Sequence, residues 1–465
     1  MTKSEIQAMA RALRRYLGEF SDCFVHPDTR DHLWHYVQGQ FSNLPRKSIE
    51  PMAKWLEIPP RTLQEFLSLS EWDHDRLRDR VQELVVRDHA EPQSLLIVDE
   101  SGHPKKGNKT ACVHRDYCGA SGKVDNCVIS VHLSYASFDG RFRTMVDSDL
   151  FFPQSGWDAP ERRDAAGIPE GVVYRPKYDI ALEQLGHALE KGLRPGWVIA
   201  DEWYGQKPAF IEGVEALGLR FVLEIPRNLM GWTREPQDQE TRRGEVQNLA
   251  RWSKPMRDQE WVKFHIKDTQ MGAMVWEVRA SPFWMRREKE VVGPYWLVVV
   301  RDVLDPMTIK YFLSNASGGV PLEVMVHVAF SRWPVERTLE DEKSELGLSH
   351  FEVRKYSAVL RHLRITQVSH LFLARQTRRL AEKKSGGDDL SGARRGQRPA
   401  RRLAAARAGP EPSPREGRTE HPRHPARQRR GAPLARQEAA AGIPQAGNPY
   451  RETSLLHSAA ERIAL

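Results

Sequence analysis

The chain has 465 residues, 40% of them hydrophobic, and a formal net charge of +8, which allows two or three domains with a sizeable core. No apolar run approaches the roughly 20 residues needed to cross a bilayer, and the opening MTKSEIQAMARALRRYLGEF lacks the apolar stretch of a secretory signal, so no membrane partner is expected. Four cysteines in a chain of this length do not make a disulfide framework, and the expected setting is a reducing cytoplasm.

Positive charge of this size invites a polyanionic partner, but it is unevenly spread. Residues 385–465 carry 15 Arg, no Lys and 8 acids, which leaves the first 384 residues at +1. Any nucleic-acid surface on the body of the chain must therefore be a local patch.

Residues 1–90 read as a small helical domain. Ile6, Met9, Ala10 and Leu13 share one helix face, and Leu33, Tyr36 and Val37 mark a second. A third helix spans Ser48 to Trp55 and stops before Pro59-Pro60. Thr62 is placed to cap the next, with Leu63, Phe66 and Leu67 inward. Trp72 to Val86 then buries Leu77, Val81, Leu84 and Val85. Such a bundle either packs only or reads DNA through a helix-turn-helix.

Residues 91–231 alternate strands and helices, a mixed α/β pattern. Leu95 to Ser101, LLIVDES, is a short β-branched run that enters Asp99-Glu100 and then Gly102 and Pro104. It predicts a buried strand ending in a turn. A carboxylate there either caps the turn or, being costly to bury alone, is paired or holds a metal. Pro104 to Lys109 is a basic loop without P-loop spacing; its Lys105 and Lys106 touch phosphate or simply face solvent. Strands follow at Val128–Tyr135 and Arg141–Leu150, and a helix at Tyr178–Lys191. The strand Trp197–Ala200 runs into a second Asp-Glu step, Asp201-Glu202. A helix at Pro208–Leu217 and a strand at Phe221–Ile225 close the segment. The repeated acidic step could bring Asp99 and Asp201 to one sheet edge, as oxygen ligands for Mg²⁺. Cys112, His114, Cys118 and Cys127 lack the close pairing of structural zinc sites, and the three cysteines read as buried free thiols.

Residues 232–315 alternate again, in Trp261–Ile266, Met274–Val278 and Tyr295–Val300, and predict a β-rich segment. A helix opens at Arg332 and runs through Leu346, carrying a third acid, Glu336. At about 100° per residue, Arg332, Glu336, Glu340 and Lys343 form one stripe, while Asp341 and Glu342 point away. Residues 385–465 are rich in Arg, Ala, Pro and Gly with one aromatic, Tyr450. They cannot bury a core, and read as a disordered basic tail or a frame-shifted product.

Four segments, IVDESGHPKKG, YCGASGKVDNC, IADEWYG and RWPVERTLEDEKSELGLSHFEVRKY, together resemble bacterial insertion-sequence transposases of the DDE superfamily. The resemblance is to the group with a β-rich insertion before the catalytic Glu, and it covers roughly Trp34 to Arg378. It implies an RNase H-like catalytic core at 91–231 and 316–384, interrupted by the insertion at 232–315. The helical domain at 1–90 would bind DNA ends, and the tail at 385–465 would follow. The implied catalytic and metal-binding triad is Asp99, Asp201 and Glu336, holding two Mg²⁺ ions with Mn²⁺ as a substitute. Sister families carry Tyr-x2-Arg-x3-Glu-x6-Lys. Arg332, Glu336 and Lys343 fit that spacing, and Ala329 stands at the Tyr position. Arg332 and Lys343, with Lys105 and Lys106, are the expected DNA contacts. The implied activity is strand cleavage and strand transfer at inverted-repeat ends by a nucleoid-associated homodimer. The rival readings are an inactive end-binding relic or repressor, and a Mg²⁺-dependent hydrolase that does not act on DNA.

Overall fold

The structure, a computed structural model, describes residues 3–237, 247–248, 261–269, 272–287 and 290–388. Five helices come first: α1 (Lys3–Gly18), α2 (Pro27–Gln40), α3 (Ile49–Trp55), α4 (Pro60–Ser68) and α5 (His74–His89). Their starts follow local chemistry. Pro60 is the first residue of α4, where its missing N–H costs nothing. Thr62 therefore lies inside the helix, and the expected Thr62 cap is corrected. The Asp73 side chain accepts from the Arg76 amide at 2.8 Å, so α5 begins at His74 and leaves Trp72 in the core. There the indole donates to the Phe66 carbonyl at 2.8 Å.

The α/β part follows as β1 (Leu95–Pro104), β2 (His114–Cys118), β3 (Lys123–Ala136), β4 (Arg143–Leu150), α6 (Pro160–Ala166), α7 (Lys177–Glu190), β5 (Trp197–Ala200), α8 (Glu202–Gly205), α9 (Pro208–Ala216) and β6 (Phe221–Ile225). Next come β7 (Met230–Trp232), β8 (Gln247–Asn248), β9 (Val262–Thr269), β10 (Gly272–Arg287), β11 (Glu290–Asp302) and β12 (Ile309–Ser314). The helices α10 (Leu322–Phe330), α11 (Trp333–Glu345) and α12 (Tyr356–Asp388) complete the described chain. It is a mixed α/β fold. No helix among the described residues is long and apolar enough to cross a membrane.

One sheet runs β2-β3-β1-β5-β6-β12-β11-β10-β7-β8, with β4 on β3 and β9 on β10. β1, β5 and β6 are parallel, and β3 lies antiparallel to β1. The strands between Asp201 and Glu336 continue this sheet, because β12 pairs with β6 from Tyr311 opposite Ile225 to Ser314 opposite Val222. Side chains alternate across it. Leu96 and Val98 of β1 pack toward α7 and α9, while Leu95 and Ile97 face the other way with Met325 and Val328 of α10. α11 and α12 cover the same side further along, with Leu339 and Val359 against Val128 and Leu150.

The N-terminal helices share a core with α12. Tyr16 donates to the Val368 carbonyl at 2.8 Å, and Tyr36 meets His362 at 2.8 Å. Gln40 donates to Thr366 at 2.8 Å and accepts from Ser369 at 2.7 Å. α12 continues to Asp388, past the expected boundary at residue 384. The remainder of the expected disordered tail, residues 389–465, lies outside the described residues.

Candidate active site at the end of the parallel strands

β1 does not stop at its acidic step. It pairs with β3 from Leu95 opposite Ala136 to Pro104 opposite Cys127. Asp99 and Glu100 thus sit within a strand, and the expected terminal turn is corrected. The neighbour that ends is β5, which pairs with β1 only from Leu95–Trp197 to Ile97–Ile199. Continued two residues further, that register sets Asp99 level with Asp201.

Asp201 ends β5 because its carboxylate caps α8, accepting from the amides of Trp203 at 3.0 Å and Tyr204 at 3.2 Å. Gly205 lets α8 lie tight on β6: a Cβ there would stand 2.0 Å from the Glu224 carbonyl oxygen. Asp99 accepts from the Glu100 amide at 2.8 Å, and its other oxygen is 3.7 Å from Nη1 of Arg332. Burial, opposed by the Glu100 N–H and reinforced by the Asp201 charge, pushes the Asp99 carboxyl up to about 7. Burial raises Asp201 as well, against the pull of the Tyr204 amide and Arg332.

Arg332 precedes α11, and α11 closes this side of the site. Asp99, Glu100, Leu339, Glu340, Lys343 and Ser344 line a concavity of about 520 Å³. Burial lowers the Lys343 ammonium pKa, and the Asp99 charge acts against that shift. The stripe read from the sequence therefore does face Asp99 at Arg332, Glu340 and Lys343. Asp341 turns to Arg143 at 3.0 Å, and Glu342 is fully buried 3.7 Å from Nδ1 of His370. Glu336 lies on α11, but its side chain is outside the described residues. Ala329 is buried in the apolar cluster of α10.

The two loop lysines differ. Lys105 turns inward: its ammonium donates to the Phe351 carbonyl at 2.8 Å and lies 3.4 Å from that ring's centroid. Burial lowers it to about 7. Lys106 is exposed. His114 bonds the Cys112 carbonyl rather than joining the thiols, and all four cysteines are buried and free.

Sequence reasoning missed two features beside the acids. Glu100 is bound by Lys177 at 3.0 Å, while its second oxygen is buried without a hydrogen-bond partner. A polar chain also runs under α11 from Ser349 through His103, Ser130, His132 and Ser148 to Gln367, with links of 2.7–2.9 Å. Burial keeps both histidines neutral, His132 pushed down to about 3. The alternation of Ser101 and His103 on β1 with Ser130 and His132 on β3 was the available signal.

Two half-buried carboxylates brought level, each held in part by backbone N–H groups, form an all-oxygen donor set. Their raised pKa values record chiefly the cost of burying charge, which a hard divalent cation would offset. Among the described residues, no three His, Cys, Asp or Glu side chains gather as a metal cluster.

Fold and site together define an α/β protein with an acidic centre on its parallel strands. Residues 19–278 match the family model described as DDE superfamily endonuclease, and the chain belongs to that family. The matched span includes Asp99 and Asp201 and ends before Arg332. The chain is 26% identical over 349 residues, 74% of its own length and 83% of the relative's, to the "Probable transposase for insertion sequence element IS701" of Microchaete diplosiphon. Among solved structures it resembles the NurA nuclease from Sulfolobus solfataricus. That match has a TM-score of 0.24 and 10% identity over 68% of this chain and 92% of the other, too slight a likeness to argue from.

Proposed function

We propose that this endonuclease-family chain is a DNA transposase, cleaving and joining strands at the inverted-repeat ends of an insertion sequence. The observation that carries the reading is Asp99 level with Asp201, faced by the cations of Arg332 and Lys343. Within the sheet, β4-β3-β1-β5-β6 has an antiparallel meander joined to two further parallel strands, which supports an RNase H-like core. On this reading residues 91–231 and 316–384 are the core, 232–315 the insertion, 1–90 the DNA-end-binding part and 385–465 a basic tail.

Asp99, Asp201 and Glu336 would hold two Mg²⁺ ions, or Mn²⁺ in their place. When bound, such a pair supplies Lewis-acid activation and stabilises the charge on both reacting oxygens of the phosphodiester. The chain's own residues do the rest. Arg332 and Lys343 hold phosphate oxygens on the α11 side. The Trp203 and Tyr204 amides fix the Asp201 carboxylate. Lys106 meets a flanking phosphate, and Lys105, turned inward, steadies the α11–α12 loop at Phe351. Two ends and a target require two copies of the chain, so the partner is a homodimer on nucleoid DNA.

The test is a Mg²⁺-dependent nicking assay on duplexes carrying the element's ends, beside a gel shift. Asp99→Ala and Asp201→Ala lose nicking and keep binding, since phosphate contacts supply most of the affinity. Normal nicking by either variant removes the assignment. Binding without nicking by the unaltered protein selects the relic or repressor reading. Phosphatase activity without DNA binding selects the other hydrolase.

A further inference from the structure

Trp203 follows Asp201 by two residues and is only half-buried, whereas Tyr204 and Gly205 beside it are buried. Its ring stands edge-on to Tyr204 at 4.9 Å and 6.5 Å from Tyr178. Two ammonium groups cover it, Lys207 at 4.9 Å and Lys177 at 5.3 Å from the centroid. Lys177 is also held by Glu100 at 3.0 Å, so it is anchored. The ring of Phe151 lies 5.5 Å from the same ammonium, and Tyr174, 41% exposed, stacks edge-on to Phe151 at 6.0 Å. An aromatic and basic track thus leads from the acidic edge along the side of the sheet opposite α11. The buried rings of Trp197 and Trp72 each carry one arginine, whereas Trp203 is half-buried and carries two ammonium groups. A π-face flanked by lysines beside a phosphodiester-cutting centre is the chemistry that holds unpaired nucleotides: bases stack on the ring while the backbone meets the charges.

We infer that Trp203 and Lys207 form a binding site for an unpaired nucleotide of the DNA strand next to the scissile phosphate. The inference rests on the proposed function and deepens it. In the free protein Lys207 covers the ring. A base and an ammonium cannot share one face, so the base displaces Lys207, whose flexible stem carries its charge to the adjacent phosphate. Lys177 stays on Glu100 and bounds the site.

The experiment uses the full chain without divalent cation and a short single-stranded oligodeoxynucleotide containing one 2-aminopurine. Stacking on Trp203 quenches the probe. Trp203→Ala loses the quench and binds on the order of 10-fold more weakly, while Trp203→Phe recovers part of both. Lys207→Gln keeps the quench and lowers the slope of log K against log salt by about 0.7, one phosphate contact on a single strand. Folded Trp203→Ala with unchanged quench and affinity overturns the inference, as does Lys207→Gln with an unchanged slope. Where Trp203→Ala unfolds, Trp203→Leu decides, since it restores apolar volume without a π-face: lost quench supports the site and retained quench overturns it. A wild-type chain that nicks element-end duplexes while its Trp203 variants quench normally sinks this site alone. One that quenches through Trp203 but never nicks sinks the proposed function and leaves the site standing.

Discussion

Asp99 stands level with Asp201 because β5 stops at Ala200 while β1 continues beside β3. The two carboxylates meet at a step in the sheet where one strand has a neighbour on only one side. The cap on α8 ends β5 at this point, and Gly205 lets α8 seat against Glu224.

The first prediction follows from that pairing. Adding Mg²⁺ or Mn²⁺ should raise the thermal unfolding midpoint of the wild-type chain. At about 100 times Kd, mass action gives ~2.7 kcal/mol. Asp99→Asn and Asp201→Asn should each remove most of the cation-induced rise, and should not lower the midpoint in EDTA, because each removes a carboxylate whose charge is disfavoured by its desolvation. A full cation-induced rise in both variants places the cation elsewhere.

Asp147 and Arg364 form an ion pair beneath β4, and each side chain is 3% exposed. Asp147 also accepts from the Ser148 amide at 2.7 Å. Removing one partner leaves an uncompensated buried charge, which costs roughly 3–5 kcal/mol, whereas replacing both by apolar groups is often nearly neutral. Asp147→Ala and Arg364→Met should therefore each lower stability in urea by about that amount. The double variant should be more stable than either single one. Additive losses would mean that the pair does not act as a unit.

Lys105 gives a pH prediction. Its folded pKa is about 7, lowered by burial and then by Arg46, against about 10.4 in an unfolded chain. Between these values the unfolded state binds the proton and the folded state does not. This group's contribution to stability therefore rises with pH from about 7 to about 10 and is flat below. Lys105→Met should flatten that rise, so its midpoint relative to wild type is highest near neutral pH and falls as pH approaches 10. Thermal unfolding across that range reads it, and a difference that does not vary with pH refutes the burial of the charge.

The parts that were legible share a cause. Trp197–Ala200 and Phe221–Ile225 are short β-branched runs between turn residues, and both are strands at those bounds. Leu77, Val81, Leu84 and Val85 repeat at helical spacing and are all buried. Asp99 and Asp201 were legible because one acidic step occurs twice after an apolar run. What was hidden depends on partners distant in the chain. The extension of β1 to Pro104 needs the 14 residues of β3, since Asp-Glu-Ser-Gly-His-Pro alone reads as a turn. Lys105 turns inward for Phe351, 246 residues away. The polar chain through His103 and His132 closes only when Ser130 of β3 lies beside β1.

The last prediction concerns the third carboxylate. Glu340 lines the same concavity as Asp99 and Lys343, so it competes with Glu336 for the role. α11 turns by about 100° per residue, which places Glu336 one turn before Glu340 and two turns before Lys343. Arg332 already reaches Asp99 at 3.7 Å from the residue preceding the helix. A ligand beside Asp99 and Asp201 belongs near that end of α11, between the two cations, and Glu336 has that position. Glu340 lies a turn further on and is exposed. Glu336→Gln should therefore abolish nicking, and Glu340→Gln should be mild. Lys343→Ala should lose on the order of 10–100-fold, as residues supporting a metal site do. All three should keep end binding within a few-fold of wild type in a gel shift. An active Glu336→Gln beside an inactive Glu340→Gln reverses the assignment, and two active variants remove α11 from the chemistry.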